Sequence, residues 1–305
     1  MIVDLPDTTT SAVSKALVKL REEGGAVALG RVLTLVISSA GRTDEEAIEA
    51  ANDASREHPM RVIVLSTDPE SPARLDAEIR VGGDAGASEV VVLHASGETA
   101  DDAESLVTGL LLPDAPVVVW WPGEAPEDPH LSALGRIGTR RITDAASAPD
   151  PAAALARLGA HYTPGDTDFA WTRLTLWRAQ LAAVLDQPPY EPVTAVTVVG
   201  SSDSPSTELL ALWLGLQLHV PVERVIKEPG DGPNGIHLVR LVRASGVVEL
   251  ARPDGGVAIL TQPAQPVHEI ALPRRSLRDC LAEELRRLDP DELFGRVVRA
   301  TEGVR

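Results

Sequence analysis

Apolar residues along this chain change spacing repeatedly, from helical to nearly continuous and back. Val13, Leu17 and Leu20 fall near helical spacing after Thr10 or Ser11, which can cap a helix running to about Glu23 and stopped by Gly24-Gly25. Arg31 to Ser38 follows, β-rich and almost continuously apolar, as expected of a strand covered on both faces. Thr43-Asp44-Glu45-Glu46 then opens a helix in the manner of a capping box, His58-Pro59 ends it, and Arg61 to Leu65 forms another apolar strand. The pattern goes on to predict a short edge strand at Ala77 to Val81, a buried strand at Glu89 to His94, a helix over Thr99 to Leu112 and a strand over Pro116 to Trp121. Leu131 to Ile137 reads as helical and Arg141 to Asp144 as extended. Such alternation of strand and helix favours an α/β fold with an open, mostly parallel sheet flanked by helices.

The second half reads differently. A Pro- and Ala-rich stretch, Ala145 to Ala153, precedes a helix to about His161, and Thr163-Pro164-Gly165 is the clearest break in the chain. It sets the expected boundary between an N-terminal α/β domain, residues 1–162, and a C-terminal mixed α/β domain, residues 163–305. Asp166 or Thr167 can cap the next helix, with Leu174, Trp177, Leu181 and Val184 on one stripe and an end before Pro188-Pro189. A strand from Val193 to Val199 runs through Gly200-Ser201-Ser202 into a helix over Pro205 to Leu218, and strands near Val222 to Lys227 and His237 to Val242 follow. Val247 to Ala251 and Val257 to Thr261 flank the turn Arg252-Pro253-Asp254-Gly255-Gly256, a hairpin signal, and Glu269 to Leu272 adds a last strand. Two helices close the chain, Leu277 to Leu288 and Pro290 to Ala300, the second opened by Asp289-Pro290 in cap and first-turn positions.

Composition narrows the function classes. At 305 residues the chain has room for two domains with real cores, but aromatics are only 3% of it, so Val, Leu, Ile and Ala must build them. The excess of 45 acidic over 28 basic residues gives a net charge of −17, which repels phosphate backbones and anionic membranes, so nucleic acid and membrane are not expected partners. No apolar run approaches the length of a membrane span, and Met1-Ile2-Val3-Asp4 opens no secretory signal, so a cytoplasmic protein is expected. A single cysteine, Cys280, rules out an intrachain disulfide and a cysteine-based zinc cluster.

Candidate chemistry is sparse. The histidines at 58, 94, 130, 161, 219, 237 and 268 form no His-x-His pair and no i, i+4 pair with an adjacent Glu, so no metal is expected. There is no Gly-x-Ser-x-Gly elbow, no nucleophile signature for the lone cysteine, and the carboxylates mostly fall at helix starts and on solvated faces, so no catalytic residue is assigned. Gly200-Ser201-Ser202-Asp203-Ser204, between a strand and a helix, can hold a phosphate on backbone N–H groups, yet it lacks further glycines and reads better as a plain turn. Gly230 to Gly235 is read as a flexible turn, since its proline removes an N–H. Neither justifies a cofactor. The unusual feature is tryptophan: Trp120, Trp121, Trp171, Trp177 and Trp213 lie in the middle of the chain. Adjacent Trp120 and Trp121 point to opposite faces of a strand, so they need cover on both sides or a partner. Large aromatics and arginines are enriched at interface centres, and Arg173 and Arg178 flank Trp177. The alternative is interdomain core packing.

Two stretches, Leu110-Leu111-Leu112-Pro113-Asp114-Ala115-Pro116-Val117-Val118-Val119-Trp120-Trp121-Pro122-Gly123 and Asp168-Phe169-Ala170-Trp171-Thr172-Arg173-Leu174-Thr175-Leu176-Trp177-Arg178, resemble signatures of the OpcA family of glucose-6-phosphate dehydrogenase assembly proteins. Ala54-Ser55-Arg56-Glu57-His58-Pro59-Met60-Arg61 and Arg141-Ile142-Thr143-Asp144 extend the likeness through both halves. The resemblance implies a non-catalytic partner of glucose-6-phosphate dehydrogenase that promotes its active oligomer and feeds the oxidative pentose phosphate pathway and NADPH supply. Trp120, Trp121, Trp171, Arg173, Trp177 and Arg178 are the candidate partner-binding residues. Some photosynthetic members are linked to thiol redox control, whereas the lone Cys280 permits at most an intermolecular or mixed disulfide, so no intrachain thiol switch is expected. Two other readings stand beside this one: a sensor or enzyme binding a sugar phosphate or nucleotide at the open end of the first sheet, with no effector identified, and a scaffold without kinetic effect.

Overall fold

The computed structural model describes residues 1–23, 30–40, 45–81, 89–228 and 235–303. They form two compact units: Met1–Asp144 with Thr163–Thr167 and Leu277–Pro290, and Ala145–Tyr162 with Asp168–Ser276 and Asp291–Arg305. The chain therefore enters the second unit after Asp144 and returns to the first at Thr163 and again at Leu277.

The first sheet runs β1 (Ile2–Leu5), β4 (Arg74–Val81), β5 (Glu89–Ser96), β3 (Met60–Asp68), β2 (Leu33–Ala40), β6 (Val117–Trp120), β7 (Arg140–Thr143) and β8 (Asp166–Asp168) in spatial order. β5, β3, β2, β6 and β7 are joined by parallel ladders, while β1 and β4 add antiparallel pairs at one side. In chain order the parallel strands lie third, second, first, fourth, fifth, the doubly wound arrangement that reverses direction between β2 and β6. The mostly parallel open sheet expected from the alternating pattern is thus present.

Its central strands β2, β3, β5 and β6 are mainly apolar because both faces are covered. Val36, Ile63, Val91 and Val119 pack with Val13 and Leu17 of α1 (Thr10–Glu23) and Leu106 and Val107 of α3 (Ala103–Thr108). The alternate residues Leu35, Ile37, Val62, Val64, Val90 and Val118 point the other way and are equally buried. Ile48 of α2 (Glu45–Ala54) and Leu281 of α8 (Leu277–Arg286) are buried as well, and these two helices pack on each other.

Charge enters this interior in paired form. Glu89 is 1% exposed and accepts from Arg21 at 3.1 and 2.7 Å and from Arg61 at 2.9 Å; Arg61 also donates to the carbonyl of Leu110. Arg140 pairs with Glu284 of α8 and donates to the Asp289 carbonyl at 3.0 Å. Arg141 pairs with Asp166 and donates to the carbonyls of Gly138 and Pro164 at 2.9 and 2.8 Å. Burial pushes the Asp166 carboxyl above its ordinary value, opposed by the Thr163 N–H and the Arg141 guanidinium.

Several local expectations shift, each for a physical reason. The helix expected over Thr99 to Leu112 is a tight turn, Gly97–Asp101, and then the short α3, because the Asp102 side chain accepts from the Ser105 N–H at 3.1 Å and restarts the helix there. Leu131 to Ile137 forms turns instead of a helix. Gly135 lies against the Pro129 carbonyl where a side chain would not fit, and its N–H is held by Ser132 Oγ at 3.0 Å. β4 is not an edge strand but pairs with both β1 and β5. Gly24-Gly25, Thr43-Asp44 and most of Gly230 to Gly235 lie outside the described residues.

The second unit holds a mixed sheet in the order β10 (Val222–Lys227), β9 (Ala195–Ser201), β11 (Ile236–Arg243), β12 (Gly246–Ala251), β13 (Val257–Thr261) and β14 (His268–Ala271). Only the β10–β9 ladder is parallel, since α7 (Pro205–Leu218) crosses between them. The hairpin turn after β12 is tied by Asp254, whose Oδ1 accepts from Gly256 and Val257 at 3.0 and 2.9 Å. Asp166 and Thr167 lie in β8, and Asp168 is the cap: its Oδ1 accepts from Ala170 at 2.8 Å, opening α5 (Phe169–Thr172) ahead of α6 (Thr175–Leu185). Its Oδ2 accepts from Ala145 at 2.9 Å. α9 (Glu292–Arg299) is likewise capped by Asp291, two residues beyond the expected Asp289.

Candidate functional site

The residues singled out in the sequence are mostly interior. Trp120 and Trp121 are 0% and 5% exposed, and Trp121 packs beside Val119 and Leu134 while Trp120 takes the opposite face of the doubly covered sheet. Trp171 and Trp177 belong to the core of the second unit, and Trp213 is partly buried against it. Trp171 donates from Nε1 to Asp291 at 2.8 Å, stacks under the Arg178 guanidinium at 3.7 Å and sits 5.7 Å from the Phe294 ring. Arg178 is thereby held as part of this packing, with the Thr175 hydroxyl at 3.4 Å. Arg173 is half-buried beside Phe169. Trp120, Trp121, Trp171 and Trp177 fill the cores of their units.

What the second unit does present is one side of its sheet. On the inner side Val196, Val198, Val239, Leu241, Val248, Leu250, Ala258 and Leu260 are buried in one cluster with residues of α4 (Pro151–His161), α5, α6, α7 and α9. On the outer side the strand register lines up Val225, Val199, Leu238, Ala251 and Ile259, an apolar row crossing β10, β9, β11, β12 and β13. The next row, Glu223, Thr197, Arg240, Glu249 and Thr261, is polar, and Arg240 binds Glu249 at 2.8 Å. A shallow groove of about 530 Å³ runs along these rows. Val225 is 37% exposed and its row partners are half-buried, so an apolar stripe with a polar flank faces outward. A bulge at His237 keeps Leu238 rather than its neighbour opposite Val199. Each residue of the row was visible in the sequence; their alignment was not, because it depends on which strands become neighbours.

The Gly200-Ser201-Ser202-Asp203-Ser204 turn joins β9 to α7 as expected. Gly200 is required by close approach, since a side chain there would strike the Thr207 side chain and the Gly235 carbonyl. Ser201 Oγ lies 3.3 Å from His237 Nε2.

Residues 51–160 match the family model described as the glucose-6-phosphate dehydrogenase subunit N-terminal domain, and residues 164–298 the model described as its C-terminal domain. The chain belongs to the OpcA family. In this OpcA-family chain the two matches lie on either side of Thr163 and take in the strands from β3 to β14. A comparison with curated proteins finds no match. Among solved structures, glucose-6-phosphate 1-dehydrogenase from Mycobacterium avium aligns at 10% identity and TM-score 0.46 over 90% of this chain and 92% of that one. The myo-inositol dehydrogenase from Lactobacillus casei, in complex with NAD(H) and myo-inositol, aligns at 12% identity and TM-score 0.49 over 89% and 93%. Both are distant likenesses of fold. No helix among the described residues is long and apolar enough to cross a membrane.

Proposed function

We propose that this chain is a non-catalytic assembly factor of glucose-6-phosphate dehydrogenase, that it docks through the outer face of its second sheet, and that docking raises the activity of the enzyme. The observation that carries the reading is the pair of family matches, both to parts of a subunit of that dehydrogenase. The surface is supported by the apolar row from Val225 to Ile259: an open sheet face with a polar flank has the anatomy of a partner-binding patch, apolar at its centre and polar at its edge. A standard interface buries roughly 1,200–2,000 Å² in total.

Activation follows from differential affinity. If the chain binds an active oligomer or conformation of the dehydrogenase better than the others, it shifts the population toward it, and a tenfold shift needs only about 1.4 kcal/mol of preference. The reading assigns the chain no reaction of its own; through its partner it supports NADPH formation and the oxidative pentose phosphate pathway in the cytoplasm.

Leu238→Glu places a charge in the centre of the row and Val225→Glu at its β10 end, neither entering the core on the other side of the sheet. Each is expected to weaken association with the dehydrogenase by about tenfold or more, with the urea midpoint of the chain nearly unchanged. Leu131→Glu, at a position 63% exposed in the first unit, is the control and should bind like the parent. Folded Leu238→Glu and Val225→Glu proteins that bind with full affinity would remove this face from the interface.

A further inference from the structure

The turn between β9 and α7 opens on a small cleft of about 110 Å³ within the second unit. Arg173, Arg252 and Arg274 line it together with Trp177, Ser204 and Asp203. In a chain of net charge −17, three guanidinium groups against one carboxylate in a single cleft is a local reversal of sign. The groups come from separate places: Arg173 from the link between α5 and α6, Arg252 from the hairpin turn after β12, and Arg274 from the segment after β14.

Arg252 is the fixed member. It is 5% exposed, its Nη2 donates to the Ile236 carbonyl at 3.1 Å, and its guanidinium stands 5.5 Å over the Trp177 ring. Burial, and then the charge of Arg274, lowers its affinity for its own proton. Arg274 is exposed and anchored through its backbone, whose N–H donates to Gly255 at 3.3 Å, leaving its side chain at the mouth. The fourteen-residue α7 directs its amino end to the same cleft, and its N-cap, Ser204, spends no side-chain hydrogen bond on capping. Cationic forks, a hydroxyl and the positive end of a helix converge there as they do on tetrahedral oxyanions. The cleft is well below the roughly 300–1,000 Å³ of pockets that enclose a whole drug-sized ligand, so it suits an anionic head group with the rest of the molecule outside.

We propose that this cleft binds phosphate, free or as the head of a phosphomonoester, with Arg252 and Ser204 at its base and Arg173 and Arg274 closing over the oxygens. Arg252 also lines the groove of the docking face, but the test of this site needs no dehydrogenase. Calorimetric titration of the full chain at constant ionic strength uses inorganic phosphate, glucose 6-phosphate as a phosphomonoester, and glucose as the neutral control. Both anions are expected to bind at one site in competition, and glucose not to bind. Arg274→Gln, a change at an exposed position, should weaken both anions by about tenfold or more while the unfolding midpoint stays put, and Arg173→Gln should do likewise. Glucose 6-phosphate binding more than tenfold tighter than phosphate identifies a phosphomonoester as the ligand, and equal affinities identify free phosphate; either supports the site. Absence of binding by both anions, or binding unaltered in both variants, overturns it.

Discussion

Trp171→Ala is expected to lower the stability of the second unit by about 3–5 kcal/mol, the range for truncating a buried tryptophan. Trp171 is 2% exposed and packs with Phe294 of α9 at 5.7 Å. Its removal opens a cavity and withdraws three further things at once: the indole donor to Asp291, the ring under Arg178, and part of the support for the end of the chain, because Asp291 also caps α9. Urea unfolding followed by circular dichroism measures the loss. Trp171→Phe should restore much of the packing but not the 2.8 Å hydrogen bond to Asp291, and so fall between the parent and Trp171→Ala. A Trp171→Ala protein within about 1 kcal/mol of the parent would contradict the packing role given to this ring.

Glu89→Ala should cost about as much in the first unit, roughly 3–5 kcal/mol, by a different mechanism. Glu89 sits at the start of β5, 1% exposed, and is the carboxylate that neutralises Arg61, itself 5% exposed on β3. Removing it leaves a buried guanidinium with the Leu110 carbonyl but without its counter-charge. Arg21, 36% exposed, reaches Glu89 from α1, and Arg21→Ala should cost only about 1 kcal/mol or less because solvent screens that pair. The double variant Arg61→Met, Glu89→Leu should recover much of the loss, since an apolar pair of similar size needs no neutralisation. Equal, small losses for Arg21→Ala and Glu89→Ala would show that the interior charge is not held as these distances imply.

Both residues illustrate what the sequence disclosed. Continuous apolar runs made β2, β3 and β5 readable as strands covered on both faces, and Pro205 marked the start of α7, because first-turn chemistry is local. β1 and β8 were not readable. The first has four residues stabilised through pairing with β4, and the second is Asp166-Thr167-Asp168, which carries no apolar alternation and is held by neighbours such as the Thr143 hydroxyl, 3.2 Å from the Thr167 carbonyl. The tryptophans were conspicuous, yet whether a ring faces a partner or a core depends on what covers it. The surfaces that remain open, the Val225–Ile259 row and the Arg173–Arg252–Arg274 cleft, are assembled from segments far apart in the chain. Their residue types were visible; their meeting depends on the order β10-β9-β11-β12-β13, a tertiary fact that no local window contains.

The central claim is association with glucose-6-phosphate dehydrogenase, and the most direct measurement is a titration of that enzyme, from the same source, with the full chain, following NADPH formation while light scattering sizes the mixture. The account predicts a stable complex larger than either protein and a rise in dehydrogenase activity that saturates as the complex forms. No complex and no change in activity, with both proteins folded, would contradict it.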